Sequence, residues 1–256
     1  MSGDIYIAAA GALACEKRLQ IISNNLANAN TVGFKMDRGS FKQVETADLA
    51  VQGAGNAINL ESQAHLFWSS FNVYTDHSSG PLKKTGNDFD LALEGDGFFC
   101  VQTPNGVHYT RKGDFTLNAE GVLVTGNGWP VLGEGGEITV MSSENPNQYA
   151  KFAVDEQGNV SVDGKQVDTL RIVDIAERSR LTKAGDTVFK PPAAGSGEAK
   201  AENFRVSQGF IELSNVDAVK MMTEMIEVLR GYESYQKVIQ AADDADSKAI
   251  NQVGTI

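Results

Sequence analysis

The sequence predicts an α+β protein, in which N- and C-terminal helices pair as a coiled-coil-like stem and the central domain is antiparallel and β-rich. At both ends of the chain, apolar residues recur in alternating steps of three and four, which is the spacing of a coiled-coil seam. Between the ends, short apolar runs are separated by glycines, with twelve glycines in residues 80–136. The 256 residues are 41% hydrophobic, which is enough to form a substantial core.

The N-terminal segment predicts one helix over about residues 4–29. At about 1.5 Å per residue, this helix would be on the order of 39 Å long. We expect it to end at residues 28–33 (NANTVG), where asparagine and glycine favour the left-handed conformation. Its seam consists of Ile5, Ala8, Ala12, Cys15, Leu19, Ile22 and Leu26.

The C-terminal segment predicts a second helix, capped by Ser214 or Asn215, with Asp217 in its first turn. A second apolar stripe runs beside its seam. Two adjoining stripes are more than one partner helix can cover, so we expect this helix to contact several neighbours. The seam is Met221, Met225, Val228, Tyr232, Tyr235, Ile239, Ala242 and Ala249, and the second stripe is Val219, Met222, Ile226 and Leu229.

The central region predicts short antiparallel strands joined by tight turns. Residues 115–123 (FTLNAEGVL) recur 37 positions later as residues 152–160 (FAVDEQGNV), which predicts the same hairpin twice. Further strands are predicted at residues 98–101, 107–109, 122–124, 138–140 and 170–173.

These patterns predict three parts of the chain. Residues 1–35 and 215–256 form a helical domain, residues 36–80 an extended linker, and residues 81–214 a β-rich body. The linker contains an aromatic island at residues 67–71 (FWSSF), which we expect to become ordered against another surface.

Composition excludes several classes of function. Lys and Arg number 22 against 33 Asp and Glu, so the net charge of −11 disfavours binding to a nucleic-acid backbone. No run approaches the ~20 apolar residues of a membrane span, and the N-terminus lacks the pattern of a cleaved signal peptide. By these rules alone, the protein would be cytoplasmic.

The sequence contains no convincing catalytic, cofactor-binding or metal-binding pattern. Two cysteines and three scattered histidines lack the spacing of a zinc site. The acidic run from Asp88 to Asp96 does not match a calcium loop, and strand alternation predicts that Asp88, Asp90 and Ala92 form a solvated face. We therefore predict a protein that is not an enzyme and takes no cofactor, metal or small-molecule substrate.

Three motifs, in this order along the chain, resemble those of the flagellar basal-body rod and hook proteins. Residues 23–35 (SNNLANANTVGFK) resemble the N-terminal signature of the family. Residues 91–99 (LALEGDGFF) with 109–115 (YTRKGDF) resemble its body signature, and residues 209–217 (GFIELSNVD) with 225–233 (MIEVLRGYE) its C-terminal signature.

The resemblance implies a structural rod subunit that assembles helically with itself and other rod proteins, transmits torque from motor to hook, and serves motility. It also implies export by the flagellar type III apparatus without a cleaved signal peptide, and a place in the periplasm-spanning rod of the basal body. The candidate assembly residues are Ile5, Ala8, Ala12, Leu19, Ile22, Asn24, Asn25, Leu26, Asn28, Gly33, Phe34, Met221, Met222, Met225, Ile226, Leu229, Tyr232, Tyr235 and Ile239.

Two alternatives remain open at this point. One is an axial protein of the hook or of the hook junction, which shares the same signatures. The other is a carbohydrate-binding β protein with a helical oligomerisation stem, in which exposed aromatic residues such as Phe67, Trp68, Phe71 or Trp129 would line a groove.

Overall fold

The computed structural model describes residues 2–41, 71–140, 151–185, 187–191 and 197–253. The chain divides into two compact units. The helical unit comprises residues 1–27, 37–76 and 217–256, and the β body comprises residues 28–36 and 77–216. The combination of terminal helices with a β-rich centre confirms the predicted α+β class.

The helical unit contains α1 (Ser2–Ala27), β1 (Asp37–Phe41), β2 (Phe71–Thr75) and α2 (Ala218–Val253). The strands of the β body are β3 (Leu82–Lys84), β4 (Leu91–Gly95), β5 (Phe98–Thr103), β6 (Gly106–Thr110), β7 (Thr116–Leu117), β8 (Leu123–Val124), β9 (Phe152–Val154), β10 (Asn159–Val162), β11 (Lys165–Thr169), β12 (Ile172–Ile175), β13 (Thr182–Lys183), β14 (Val188–Lys190), β15 (Glu198–Lys200), β16 (Phe204–Gln208) and β17 (Phe210–Glu212).

Helices α1 and α2 pack against each other in antiparallel fashion at two glycines. A Cβ atom on Gly11 would lie 2.4 Å from a ring carbon of Tyr235, so the absence of a side chain lets the ring reach the α1 backbone. A Cβ atom on Gly231 would lie 3.6 Å from the Sγ of Cys15. Because the contacts advance along α1 while they retreat along α2, the two helices run in opposite directions.

The residue that caps α2 differs from the one predicted. Asp217 Oδ1 accepts hydrogen bonds from the backbone N–H groups of Val219 (3.0 Å) and Lys220 (3.1 Å). The predicted caps are wrong because their side chains are engaged elsewhere: Ser214 Oγ accepts the Val216 N–H, and Asn215 bonds within the β body. Helix α1 ends at Ala27, two residues before the predicted end.

The β body is built from antiparallel strand pairs, as predicted. Its largest sheet has six strands in the order β13–β14–β6–β5–β12–β15. Strand β5 is covered on both faces, since Phe99 and Val101 enter one apolar cluster while Phe98 and Cys100 enter another. Smaller sheets are β9–β10–β11, β4–β16, β3–β17 and β7–β8.

The repeated hairpin is confirmed in detail. Strands β7 and β8 form one copy, and β9 and β10 form the other. Asn118 Oδ1 accepts the backbone N–H groups of residues 120 and 122, and Asp155 Oδ1 accepts those of residues 157 and 159. Gly121 (φ 73°) and Gly158 (φ 85°) take the left-handed conformation at the equivalent position.

Three strand predictions need correction. Asp90 and Ala92 are buried, because β4 is covered on both faces, so the predicted solvated face is wrong for these two residues, whereas Asp88 is exposed as predicted. Asp90 is satisfied there by the Asn87 Nδ2 donor at 2.9 Å. The strand predicted at residues 170–173 lies at Ile172–Ile175, and residues 138–140 form isolated bridges rather than a regular strand.

The two ends of the predicted linker pair with each other. Strands β1 and β2 are antiparallel, with Asp37 opposite Thr75 and Phe41 opposite Phe71. A Cβ atom on Gly39 would lie 2.5 Å from the ring of Phe71, so that ring rests directly on the β1 backbone. The rest of the aromatic island, including Phe67 and Trp68, lies outside the described residues.

We predict that replacing Gly231 with cysteine creates an α1–α2 disulfide with Cys15. The new Cβ would lie 3.6 Å from the Cys15 Sγ, so a sulfur atom on that Cβ can come within the S–S bond length of about 2.05 Å from Cys15 after a small rotation of the side chains. Loss of free thiol and a mass decrease of about 2 Da in the oxidised monomer would report the bond.

The matched control for this disulfide is Ser234→Cys, because that exposed hydroxyl bonds to the Arg230 carbonyl on its own helix. We expect the control to keep its thiol free in dilute protein. A Gly231→Cys chain that stays fully reduced under mild oxidation would contradict the helix pairing.

Candidate functional site

The second apolar stripe of α2 is exposed to solvent along its length. Val219 is 75% exposed, Met222 51%, Ile226 53% and Leu229 42%, whereas the seam residues Met221 and Val228 are buried. Helix α1 thus covers one stripe and leaves the other uncovered. A row of apolar side chains on a helix is costly to leave in water, so this face is suited to packing against another chain.

Helix α1 carries an exposed apolar group of its own. Tyr6, Ile7 and Leu13 are 40–69% exposed and lie outside the heptad seam. Sequence reasoning missed these residues because it considered only the seam positions of α1. The available signal was that each of them is apolar and lies next to a seam position without being part of the seam. Val238 on α2 was missed for the same reason.

The structure separates the predicted assembly residues into three groups. The seam residues lie between the two helices and are buried or half-buried, except that Tyr235 is slightly more exposed. The second group, Met222, Ile226, Leu229 and Asn24, is exposed to solvent. Gly33 and Phe34 are buried in the β body. The seam group consists of Ile5, Ala8, Ala12, Leu19, Ile22, Leu26, Met221, Met225, Tyr232, Tyr235 and Ile239.

The asparagines near the end of α1 bind local backbone and side chains. Asn25 is buried, and its carboxamide both accepts the Asp37 N–H (2.9 Å) and donates to the Asp37 carbonyl (2.7 Å). The Asp37 carboxylate in turn accepts the Thr75 hydroxyl at 2.8 Å. Half-buried Asn28 accepts the Thr31 hydroxyl at 3.1 Å. Asn25 therefore fixes the start of β1 against α1.

The β body contains a buried charge cluster of Lys35, Arg111 and Glu212, each at most 2% exposed. Lys35 Nζ lies 2.6 Å from Glu212 Oε1, and Arg111 approaches the other carboxylate oxygen at 3.5 Å. Arg111 also donates to the carbonyls of Leu93 (3.1 Å) and Gly95 (2.7 Å). Burial lowers the pKa of Arg111, and the nearby Glu212 carboxylate offsets part of that effect.

The charge cluster brings together the three motifs that sequence analysis singled out. Lys35 ends the first motif, Arg111 lies in the second and Glu212 in the third. Sequence reasoning quoted these residues but assigned them no role. The motifs carry no local signal that singles them out, because the same motifs contain other charged side chains, such as Lys112 and Asp217.

His77 lies close to this cluster and has an unusual environment. Its ring packs on Phe98 (centroids 5.6 Å apart) and Phe189 (5.1 Å), and neither ring nitrogen has a hydrogen-bond partner among the described residues. Burial lowers the pKa of His77 to about 4, and the positive charges of Lys35, Arg178, Arg111 and Lys183 act in the same direction. His77 is therefore neutral at pH 7.

The described residues offer little for catalysis. They hold no group of three or more His, Cys, Asp and Glu side chains arranged for a metal ion. Burial raises the pKa of the Cys100 thiol to about 12 and also raises that of Cys15, so neither is an activated nucleophile. None of the described helices is apolar over a length that would cross a membrane.

A groove of about 420 Å³ lies along the β12–β15 edge of the large sheet. Its charged lining residues are Glu134, Arg171, Glu198 and Lys200, which form two ion pairs with each other. The remaining lining residues are aliphatic, so this groove lacks the aromatic side chains on which a sugar ring would stack.

Three family models match separate parts of the chain. The model of the flagella basal body rod protein matches residues 5–35. That of the flagellar hook protein FlgE/F/G D1 domain matches residues 92–162, and that of the flagellar basal body rod FlgEFG protein C-terminal region matches residues 207–252. The first covers most of α1 and the segment that follows it, the last covers β17 and most of α2, and the middle one lies within the β body.

Full-length relatives share about a third of their residues with this chain. The flagellar basal-body rod protein FlgG of Bacillus subtilis is 35% identical over 267 residues, covering 98% of this chain and 99% of the relative. The flagellar basal-body rod protein FlgF of Caulobacter vibrioides is 33% identical over 258 residues, covering 100% of both chains. The flagellar hook-basal body complex protein FlhO of Bacillus subtilis is 30% identical, covering 98% of each chain.

We predict that His77 makes the stability of the protein depend on pH. Its pKa is lower in the folded chain (about 4) than in the unfolded chain (6.5), so the unfolded state takes up a proton first as the pH falls. The contribution of neutral His77 is complete above pH 6.5 and is lost as the pH falls through about 4, with a total of about 3 kcal/mol at most, because His77 is partly exposed and solvent screens it.

Urea unfolding of the wild type and of His77→Leu, at pH 7 and at pH 4, measures this contribution. We expect the wild type to lose more stability than the variant on acidification, since leucine keeps the apolar contacts with Phe98 and Phe189 but cannot be protonated. Equal losses in both proteins would refute the assignment.

Proposed function

The chain belongs to the flagellar basal-body rod protein family and is a structural subunit of the rod; we propose that it assembles helically with copies of itself and other rod proteins and transmits torque from motor to hook. The observation that carries this proposal is the uncovered apolar stripe of α2, Val219, Met222, Ile226 and Leu229. Torque in such an assembly passes through packed surfaces and requires no chemical step.

The exposed residues of α1 and α2 supply the two surfaces that a continuing assembly needs. Tyr6, Ile7 and Leu13 lie towards the N-terminal end of α1, whereas the exposed stripe lies in the first three turns of α2. Because α1 and α2 are antiparallel, these groups fall at opposite ends of the helix pair. When different surfaces of identical subunits bind each other, the chain of contacts extends into a helix rather than closing as a dimer.

The seam between α1 and α2 supports a coiled-coil-like stem. Seam positions are mostly buried or half-buried on both helices, in contrast to the exposed stripe beside them. The Gly11–Tyr235 contact fixes the register of the pair, because a ring seated on a glycine cannot slide by one turn without meeting a side chain.

Within the family we favour the rod protein FlgF, with FlgG as the near alternative. The described residues of the body form one compact unit, and residues 129–133 (WPVLG) with 170–174 (LRIVD) resemble FlgF. The alignment with FlgF of Caulobacter vibrioides spans all 256 residues in 258 positions, so it needs almost no gaps. That with FlgG of Bacillus subtilis takes 267 positions to cover 98% of the chain.

The family places the protein in the flagellar basal body with other rod components. We further propose that the chain reaches the periplasm through the flagellar type III export apparatus without cleavage of a signal peptide.

Electron microscopy of basal bodies from a strain that lacks this gene tests the proposed function. We expect rods that stop early and carry no hook, because the missing subunit interrupts the axial stack. The length that remains distinguishes a proximal from a distal position, and so FlgF from FlgG. Complete rods with hooks in the deletion strain would refute a role in the rod.

We predict that Met222→Glu with Ile226→Glu blocks assembly but leaves the fold intact. Both side chains are about half exposed, so two carboxylates are tolerated in the monomer, but burying them against a neighbour without a cation is costly. Complementation of the deletion strain should yield no hooks, while circular dichroism of the purified variant matches the wild type.

The matched control for the stripe variant is Gln240→Glu, which adds a carboxylate to an exposed position of α2 outside the stripe. We expect this control to restore hooks and swimming. Normal hook numbers in the double variant would show that the stripe is not an assembly surface.

A further inference from the structure

Three segments of the β body lead directly to the parts of the chain in the helical unit. They are residues 28–36, residues 77–80 and residues 212–216, at the sequence positions where the division between the two units falls. Any force that reaches the body through the polypeptide therefore enters it along these segments. If the three segments are bonded to each other, they take up that force together; if they are not, one segment can carry it alone.

Glu212 bonds to both of the other segments from a buried position. Its Oε1 accepts Lys35 Nζ at 2.6 Å and the Gly80 N–H at 2.8 Å, and its backbone carbonyl accepts the Gly33 N–H at 2.8 Å. Lys35 Nζ also donates to the Ser78 carbonyl at 2.7 Å. Each pair among the three segments is thus joined through Glu212 or Lys35.

Asn215 repeats this cross-linking nearer to the end of the body. Its Oδ1 accepts the Met36 N–H at 2.8 Å, and its Nδ2 donates to the Ser78 carbonyl (3.2 Å) and hydroxyl (3.1 Å). We call Lys35, Ser78, Glu212 and Asn215 the segment clamp. Arg111 fixes the clamp to β4 through the Leu93 and Gly95 carbonyls.

Stability alone does not account for charges at this place. A buried ion pair can often be replaced by apolar side chains of similar volume without loss of stability, because desolvation offsets the attraction between the charges. Apolar contacts are not directional, however, and can slide. Hydrogen bonds from one carboxylate to two segments resist such sliding, and burial keeps water from replacing them.

We propose that the segment clamp makes the three segments share mechanical force, so that the body withstands torque without being pulled open along one of them. This inference rests on the proposed role in the rod and assigns to Lys35, Glu212 and Asn215 a function distinct from folding. Assembly depends on the exposed stripe of α2, whereas resistance to load depends on the clamp.

Two variants test the clamp in the full-length chain. Lys35→Met with Arg111→Met and Glu212→Leu replaces the buried charges by apolar side chains, and Asn215→Ala removes only the outer bonds. The matched controls are Arg205→Met with Glu156→Leu, an exposed ion pair, and Asn105→Ala, an exposed asparagine in the turn between β5 and β6.

Each variant is expressed in the deletion strain, hooks are counted by electron microscopy, and the rotation of tethered cells is measured under increasing viscous load. For both clamp variants we expect normal hook numbers and normal rotation at low load, with the torque at stall falling by roughly half, since part of the bonding between segments is lost. Both controls should rotate like the wild type, and thermal unfolding should show that the purified clamp variants are still folded at the growth temperature, so that a loss of torque cannot be ascribed to an unfolded body.

The outcomes separate this inference from the proposed function. Unchanged stall torque in both clamp variants would overturn the clamp and leave the role in the rod standing. If the triple variant forms no hooks, Asn215→Ala decides, and an absence of hooks there too would overturn the clamp in favour of a role in folding. Hooks in the uncomplemented deletion strain would refute the rod itself.

Discussion

Glu212 is wholly buried, and a buried carboxylate needs cations and donors around it. It receives them from distant parts of the chain: Lys35 from the segment after α1, Arg111 from the loop after β6, and the Gly80 N–H from the segment before β3. Satisfying this one group requires those segments to meet at one place. The β3–β17 and β4–β16 pairs, which flank these residues in sequence, depend on the same meeting.

The helical unit differs from the β body in that it exposes a row of apolar side chains. Its two helices bury one seam against each other and leave a second apolar stripe in water, where a chain selected only for solubility would place polar side chains. A subunit that must remain soluble until it meets its neighbours can afford a stripe of only a few turns. The exposed part of α2 indeed stops at Leu229, apart from Tyr235 and Val238 farther along.

Periodicity predicted the helices and the repeated hairpin, because heptads and Asx turns are local signals. Met221 and Met222 were assigned to different stripes from the sequence, and the first is buried while the second is exposed. The burial of Asp90 and the pairing of Lys35 with Glu212 could not be predicted in this way. Strand alternation assumes one wet face, and no local pattern shows which of 33 acidic side chains will meet a buried lysine.

The distance along the chain between Lys35 and Glu212 has a consequence for the order of folding. The two residues are 177 positions apart. A chain that grows or emerges from its N-terminus therefore contains Lys35, whose ammonium group is buried in the folded body, long before it contains the Glu212 carboxylate that pairs with it. Contacts of such long range form late, since the intervening loop must first be closed. The β body is therefore completed only when nearly the whole chain is available, and a chain released early is left with an unpaired Lys35 and Arg111, a state that water and proteases can reach.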